Sequence, residues 1–251
     1  MIPASLSLGA AGLFVAASFF TSALTASFGL GGGVAMLAIL GASLPVASLI
    51  PVHGLVQLGS NSGRAWIQRG AVAWPALIPF LAGALLGAAA GAATVIQLPD
   101  RPMKLALGLF ILVITWLKMP SFGKPGQKGI AIAGLIVAFF SMLFGASGPL
   151  MAAFFDKAFN DRQRMVATSA AAMVCVHGLK VAAFALAGFA FRDWLPLIFA
   201  MIATGYLGTM LGTHLLGRLP EAWFRAAFRI ILSLLALDMM RQGLTGWAPA
   251  G

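Results

Sequence analysis

Charge is what this chain has least of. Of its 251 residues only 9% are charged, with 6 acidic side chains against 16 basic ones. A soluble globular domain carries roughly 25% charged residues, so there are too few here to cover a water-facing surface. Cysteine is reduced to Cys175, inside an apolar run, which excludes an intrachain disulfide and a cysteine metal cluster. The histidines His53, His177 and His214 are scattered, without metal-ligand spacing, so no metal and no cofactor is expected. No basic cluster interleaved with aromatics is present, which removes nucleic acid as a partner despite the net charge of +10.

Acidic residues are scarce in a telling way. Asp100, Asp156, Asp161, Asp193 and Glu221 lie in or beside expected loops, and Asp238 lies near the end of the last apolar segment. A cation pump normally holds its ion with a carboxylate inside the membrane. The interior here offers positive or neutral polar groups instead, so the expected cargo is an anion, or a zwitterion with an anionic head.

What the chain does contain is apolar: 61% of residues are hydrophobic and mean hydropathy is +0.98. Residues 1–63 and 70–99 carry no charged side chain, longer than the ~20 residues a helix needs to cross a bilayer. Lipid offers no partners to unpaired backbone, so an all-α, polytopic integral membrane protein follows. The runs are continuously apolar rather than alternating, which argues against a barrel. The apolar N-terminus lacks a signal peptide's basic region, so residues 6–26 read as a retained first helix.

Glycine and proline divide the rest. "FGLGGG" (28–33), Pro45, "LPDRP" (98–102), "KMPSFGKPGQK" (118–128), "FGASGP" (144–149) and "RLPE" (218–221) interrupt the hydrophobic runs. The pieces are 6–26, 30–43, 47–64, 72–96, 103–118, 129–144, 148–158, 165–186, 194–217 and 222–240. Two of them, 30–43 and 148–158, are short for a span and read as half-helices or re-entrant segments. The expected fold is therefore eight full spans plus two short broken helices.

The two halves resemble each other. "FGLGGG" falls on "FGASGP" at an offset of 116, and Ser60-Asn61-Ser62-Gly63-Arg64 falls on Val176-His177-Gly178-Leu179-Lys180. Further on the offset is 121: Gly87 and Gly91 meet Gly208 and Gly212, and Leu98-Pro99-Asp100 meets Leu219-Pro220-Glu221. The expected division is a first repeat over 1–120, a basic linker over 121–128 and a second repeat over 129–251. With five segments per half, one side of the membrane receives Arg64, Arg69, Lys118, Lys124, Lys128, Lys157, Arg162, Arg164, Arg218 and Arg225. The other receives Arg101, Lys104, Arg192 and Arg241. Basic loops face the cytoplasm, so an odd number of segments inverts the second half and puts both termini outside. Inverted repeats with glycine-broken segments at matching positions point to a transporter site near the midplane.

Several polar residues then stand out. His53, Gln57, Asn61 and Arg64 form a stripe along one helix face. Ser169, Met173, His177 and Lys180 form its counterpart, with Thr168 beside it. Arg64 has two readings, an interfacial arginine that snorkels to the headgroups or a cation that holds an anion. Lys180 lies well inside "MVATSAAAMVCVHGLKVAAFALAGF", where a lysine is costly and functional by default. The expectation is a shared cradle lined by both stripes. Gly29, Gly31, Gly32 and Gly33, with Gly145, Ser147 and Gly148 in the second half, would supply a hinge and backbone amides, and half-helix N-termini favour anions. The series Gly83-Gly87-Gly91 and Gly205-Gly208-Gly212 reads instead as close helix packing.

The "GLGGG" after the first helix, its echo "GASGP", the "RMVATSA" opening of segment 165–186 and the "HGLK" within it resemble the sulfite exporter TauE/SafE family. The likeness covers nearly the whole chain. It implies secondary transport, often export, of sulfite, sulfoacetate and related organosulfonates across a bacterial inner membrane. It also implies that Thr168, Ser169 and Lys180 neighbour the site. The first half departs from the pattern at "IPVHGL", where His53 would alter selectivity. Expected partners are a small anionic sulfur compound and membrane lipid, with a second copy of the chain as a candidate. A membrane-embedded enzyme on sulfur or lipid-linked substrates and a passive anion channel are the rival readings. The first lacks a nucleophile, acid pair or metal cluster at membrane depth.

Overall fold

The structure is a computed structural model that describes residues 6–28, 31–95, 99–117, 125–145, 147–155, 158–159, 161–215 and 221–245. Every regular element among them is helical. In chain order they are α1 (Leu8–Phe28), α2 (Gly32–Ser43), α3 (Val46–Ile67), α4 (Trp74–Val95), α5 (Asp100–Trp116), α6 (Gln127–Phe144), α7 (Gly148–Phe155), α8 (Arg162–Leu186), α9 (Leu195–Leu215) and α10 (Glu221–Thr245). Short 3-10 turns at Arg69–Ala71 and Phe191–Trp194 join α3 to α4 and α8 to α9.

The breakers act where the sequence places them. Pro45 stands just before α3, and its carbonyl accepts from Ser48 and Leu49 in the first turn. Gly31 takes φ 99 at the start of α2 and Gly145 takes φ 76 at the end of α6, a left-handed backbone that glycine adopts without a Cβ penalty. The two short segments are helices of 12 and 8 residues. Gly29, the linker residues 121–124 and the basic residues Lys118, Lys124, Lys157 and Arg218 lie outside the described residues.

Among the described residues, five helical stretches are long and apolar enough to cross a bilayer: Leu8–Ala26, Trp74–Val95, Gln127–Phe144, Gln163–Leu186 and Phe191–Gly212. The other long helices fall short for visible reasons. α3 carries the polar stripe, α5 is only 17 residues, and α10 contains Glu221, Arg225, Arg229, Asp238 and Arg241. Large apolar side chains stand on the outside of the helices, among them Ile78 at 75% and Leu86 at 66% exposure on α4 and Phe20 at 68% on α1. Such surface is an aggregation hazard in water and ordinary in lipid.

The chain divides into two compact units, and each draws helices from both halves of the sequence. One comprises Met1–His53, Leu98–Lys118 and Arg192–Gly251; the other comprises Gly54–Gln97 and Met119–Phe191. In the second unit α4 packs along α6, and in the first α1 packs along α9 and α5 along α10.

The α4–α6 and α1–α9 seams are built alike. A Cβ on Gly87 would collide with the Leu135 carbonyl, and one on Gly208 with the Phe19 carbonyl. A Cβ on Gly91 would crowd the Phe139 carbonyl, as one on Gly212 would crowd that of Ala23. Where Gly83 leaves room for the Ala131 carbonyl, Thr204 donates to the Val15 carbonyl over 3.0 Å. Where Gly134 faces the Phe80 carbonyl, Ser18 donates to that of Met201 over 2.6 Å. Every pair maps onto its counterpart through the sequence offsets 116 and 121. Small residues let backbones approach and gain dispersion energy that lipid cannot supply.

Candidate functional site

The candidate residues gather mainly along two helices of the second unit. Lys180 is fully buried in the C-terminal third of α8. Its ammonium donates to the carbonyl of Gly145, the residue that ends α6, over 2.8 Å. Its stem passes over Gly54 of α3, where a Cβ would stand 2.8 Å from Lys180 Cδ. A helix repeats its face every three to four residues, so the strip of α3 under Lys180 is the one that continues into Gln57 and Asn61, both buried. Among the described residues, no carboxylate charge acts on Lys180.

α3 and α8 run antiparallel. Gly54 lies against Lys180, whereas Ala65 packs beside Val72, Ala167 and Ala171. Ala73 N donates to Thr168 Oγ1 over 2.9 Å, which pins the connection after α3 to the first turns of α8. That polarity spreads the candidate residues along the pair. Arg64 sits about 15 Å beyond Gly54 along α3, at ~1.5 Å per residue, level with Thr168 and Ser169. Along the pair, Lys180 and Arg64 thus stand at different levels, a centre and a flank of the candidate site.

Each remaining side chain has a definite place. Arg64 is half-buried and donates to Ser60 Oγ over 3.2 Å. Asn61 Nδ2 donates to the Gln57 carbonyl one turn back, over 2.8 Å. His177 is buried one turn before Lys180, and Ser169 is half-buried. Thr168 is buried and its hydroxyl is fully engaged: it donates to the Arg164 carbonyl over 2.7 Å and accepts from Ala73. Thr168 thus braces the fold next to the site. Ser147 is buried before α7, with its hydroxyl toward Met173 Sδ at 3.9 Å. A Cβ on Gly148 would meet open space.

In the first unit, His53 Nε2 donates to the Gly33 carbonyl over 2.9 Å, locking α3 to the first turn of α2. Gly32 packs so closely on α1 that a Cβ would strike the Thr21 carbonyl. These glycines seat α2 against α1 as well as breaking the chain.

Two features were missed in the sequence. Ser141, in the last turn of α6, has a buried hydroxyl with no hydrogen-bond partner, and its carbonyl accepts from Gly145 N over 2.9 Å. A buried polar atom normally has a partner, and this hydroxyl has none among the described residues. Its only sequence signal is its repeat mate Thr25, also polar. The second is Lys104, counted above among the loop cations. It is fully buried in α5 and donates to Gln242 Oε1. Among the described residues no group of His, Cys, Asp and Glu could hold a metal.

Long apolar helices with exposed apolar faces, interrupted by glycine-broken segments, are the architecture of a multi-pass membrane protein. The profile of the sulfite exporter TauE/SafE family matches residues 14–239, and the chain belongs to that family. It is 25% identical over 181 residues to a probable inner membrane transporter protein TsaS of Comamonas testosteroni, covering 68% of this chain and 74% of that protein. No solved structure matches it.

Proposed function

We propose that the chain is a secondary transporter that moves small sulfur-containing anions, such as sulfite, sulfoacetate and other organosulfonates, across a bacterial inner membrane by alternating access. The observation that carries this reading is Lys180, a fully buried ammonium held by a backbone carbonyl at a helix break. A charge buried without a counter-charge is strongly unfavourable, and an arriving anion supplies the missing partner. Sulfite and sulfonate oxygens accept several hydrogen bonds at once. Gln57, Asn61 and His177 are the donors on the Lys180 side of the helix pair, joined by Ser141 Oγ, while Ser169 lines the flank beside Arg64. Arg64 attracts the anion from the end of α3, while His53 and the glycines Gly31, Gly32 and Gly33 set the position of α2.

The family and the printed name of the TsaS relative support transport and an inner-membrane location. The two-offset correspondence of the helix seams supports a duplicated architecture of five segments per half, and the loop charges support inversion with both termini outside. Alternating access would exchange the Lys180–Gly145 bond for a Lys180–anion bond, freeing the end of α6 to move about Gly145.

The test is uptake of labelled sulfite and sulfoacetate into proteoliposomes, with counterflow against unlabelled anion. Saturable uptake with counterflow is expected. Flux that neither saturates nor shows counterflow marks a passive channel, and substrate turnover without transport marks an enzyme; either result overturns the proposal.

A further inference from the structure

Lys104 has no part in holding the anion, yet it is among the most deeply buried polar side chains of the first unit. Its ammonium donates to Gln242 Oε1. The Gln242 amide nitrogen donates in turn to the Ala42 carbonyl at the end of α2, over 3.1 Å, and to Asp238 Oδ2, over 2.7 Å. Asp238 also pairs with Arg241 over 2.7 Å. Asp100, at the start of α5, accepts from Val46 N in the first turn of α3 over 2.7 Å, and the charges of Asp100 and Asp238 both act on Lys104.

We propose that Lys104 and Asp238, bridged by Gln242, form a proton site that couples anion movement to a proton gradient. This rests on the transport reading above. Three observations carry it. First, a buried cation is a poor stabilising device, since apolar side chains of similar volume do as well or better, so its presence points to a function. Second, the network runs from a partly exposed group to a sealed one: Asp238 keeps 34% of its side chain exposed, whereas Lys104 is fully buried, and Gln242 links them. Third, the network holds the last turn of α2, the short helix that begins at the Gly31 break, so a change in its charge is felt by the element most able to move.

Among the described residues, α5 brings Asp100 to the pair and α10 brings Arg241; α2 offers the Ala42 carbonyl, and the start of α3 gives its Val46 N–H to Asp100. A proton taken from water by the Asp238 carboxylate makes a neutral acid. That cancels its pairing with Arg241, weakens its hold on the Gln242 amide, and leaves Asp100 as the carboxylate opposing Lys104. Returning the proton to water restores the network. Only O–H bonds form and break, and one positive charge moves with the anion.

The experiment compares two quantities in proteoliposomes loaded with the full chain: counterflow of labelled sulfite, and its accumulation under an imposed pH gradient. For Asp238→Asn and Lys104→Met the ratio of accumulation to counterflow is expected to fall at least about tenfold. Asp238→Asn is near-isosteric at a partly exposed position, so it reports even if Lys104→Met fails to fold. An unaltered ratio in Asp238→Asn overturns the proposal. So does a parent protein that shows counterflow but no pH-driven accumulation, which leaves the transport reading intact. A parent without counterflow for any sulfur anion sinks that reading instead.

Discussion

Lys180 Nζ donates to the Gly145 carbonyl over 2.8 Å, tying the C-terminal third of α8 to the glycine that ends α6. The bond satisfies one donor of the ammonium and one of the carbonyls that every helix C-terminus leaves open. It leaves the charge itself unneutralised. A ligand anion therefore competes with a neutral acceptor that it outmatches, because hydrogen bonds between charged partners are roughly twice as strong as neutral ones.

Replacing Lys180 separates function from stability. Lys180→Met removes a buried charge and keeps most of the side-chain volume, so the thermal midpoint is expected to hold or rise. Sulfite flux is expected to drop at least about tenfold, since a hydrogen bond to a charged group contributes ~1.5–3 kcal/mol. Thermal unfolding in detergent and flux in proteoliposomes check the two halves. A large loss of both would make Lys180 a structural residue.

Thr168 makes the opposite case. With its hydroxyl spent on Arg164 and Ala73, Thr168→Val leaves a buried N–H without a partner. The expected cost is ~1–3 kcal/mol of stability, read as a lowered unfolding midpoint, with the KM for sulfite unmoved. A KM rise without destabilisation would return Thr168 to the ligand.

The matched seams give a paired prediction. Gly87→Leu and Gly208→Leu each drive a side chain into a facing backbone carbonyl, so both are expected to abolish a sharp monodisperse peak in size-exclusion chromatography. Gly178→Ala meets nothing within 4 Å and is expected to be neutral or to stabilise by up to ~1 kcal/mol through helix propensity. Tolerance at Gly87 with collapse at Gly208 would break the correspondence between the seams.

The sequence exposed the segment boundaries because glycine and proline act locally: Gly31, Pro45 and Gly145 stop or start helices by their own backbone preferences. It exposed Lys180 because a lysine inside a long apolar run has few explanations. What it hid depends on distant packing. Lys104 follows "LPDRP" and reads as a loop cation until α10 brings Gln242 over it. Nothing local says that α4 lies on α6 rather than on its own half, nor that Thr168 is used up by a backbone N–H from the connection before α4. The run of α3 against α8, which sets Arg64 and Lys180 at different levels of the pair, likewise depends on packing that no local signal reports.

Gly54 is the sharpest probe of the anchor. A Cβ there would stand 2.8 Å from Lys180 Cδ, inside any real contact distance, and the lysine is the flexible partner. Gly54→Ala should therefore push the stem aside, stretch the bond to Gly145 and move the ammonium off its position. Stability should change little, because the alanine gains helix propensity of ~1 kcal/mol while a side chain, not backbone, yields. The expected signature is a severalfold rise in KM for sulfite with an unfolding midpoint near that of the parent. Substitutions in contact are non-additive, so Gly54→Ala placed on Lys180→Met should add almost nothing to the flux defect. If the double variant instead shows the product of the two single effects, Gly54 acts through something other than Lys180, and the ammonium is not the anion's anchor.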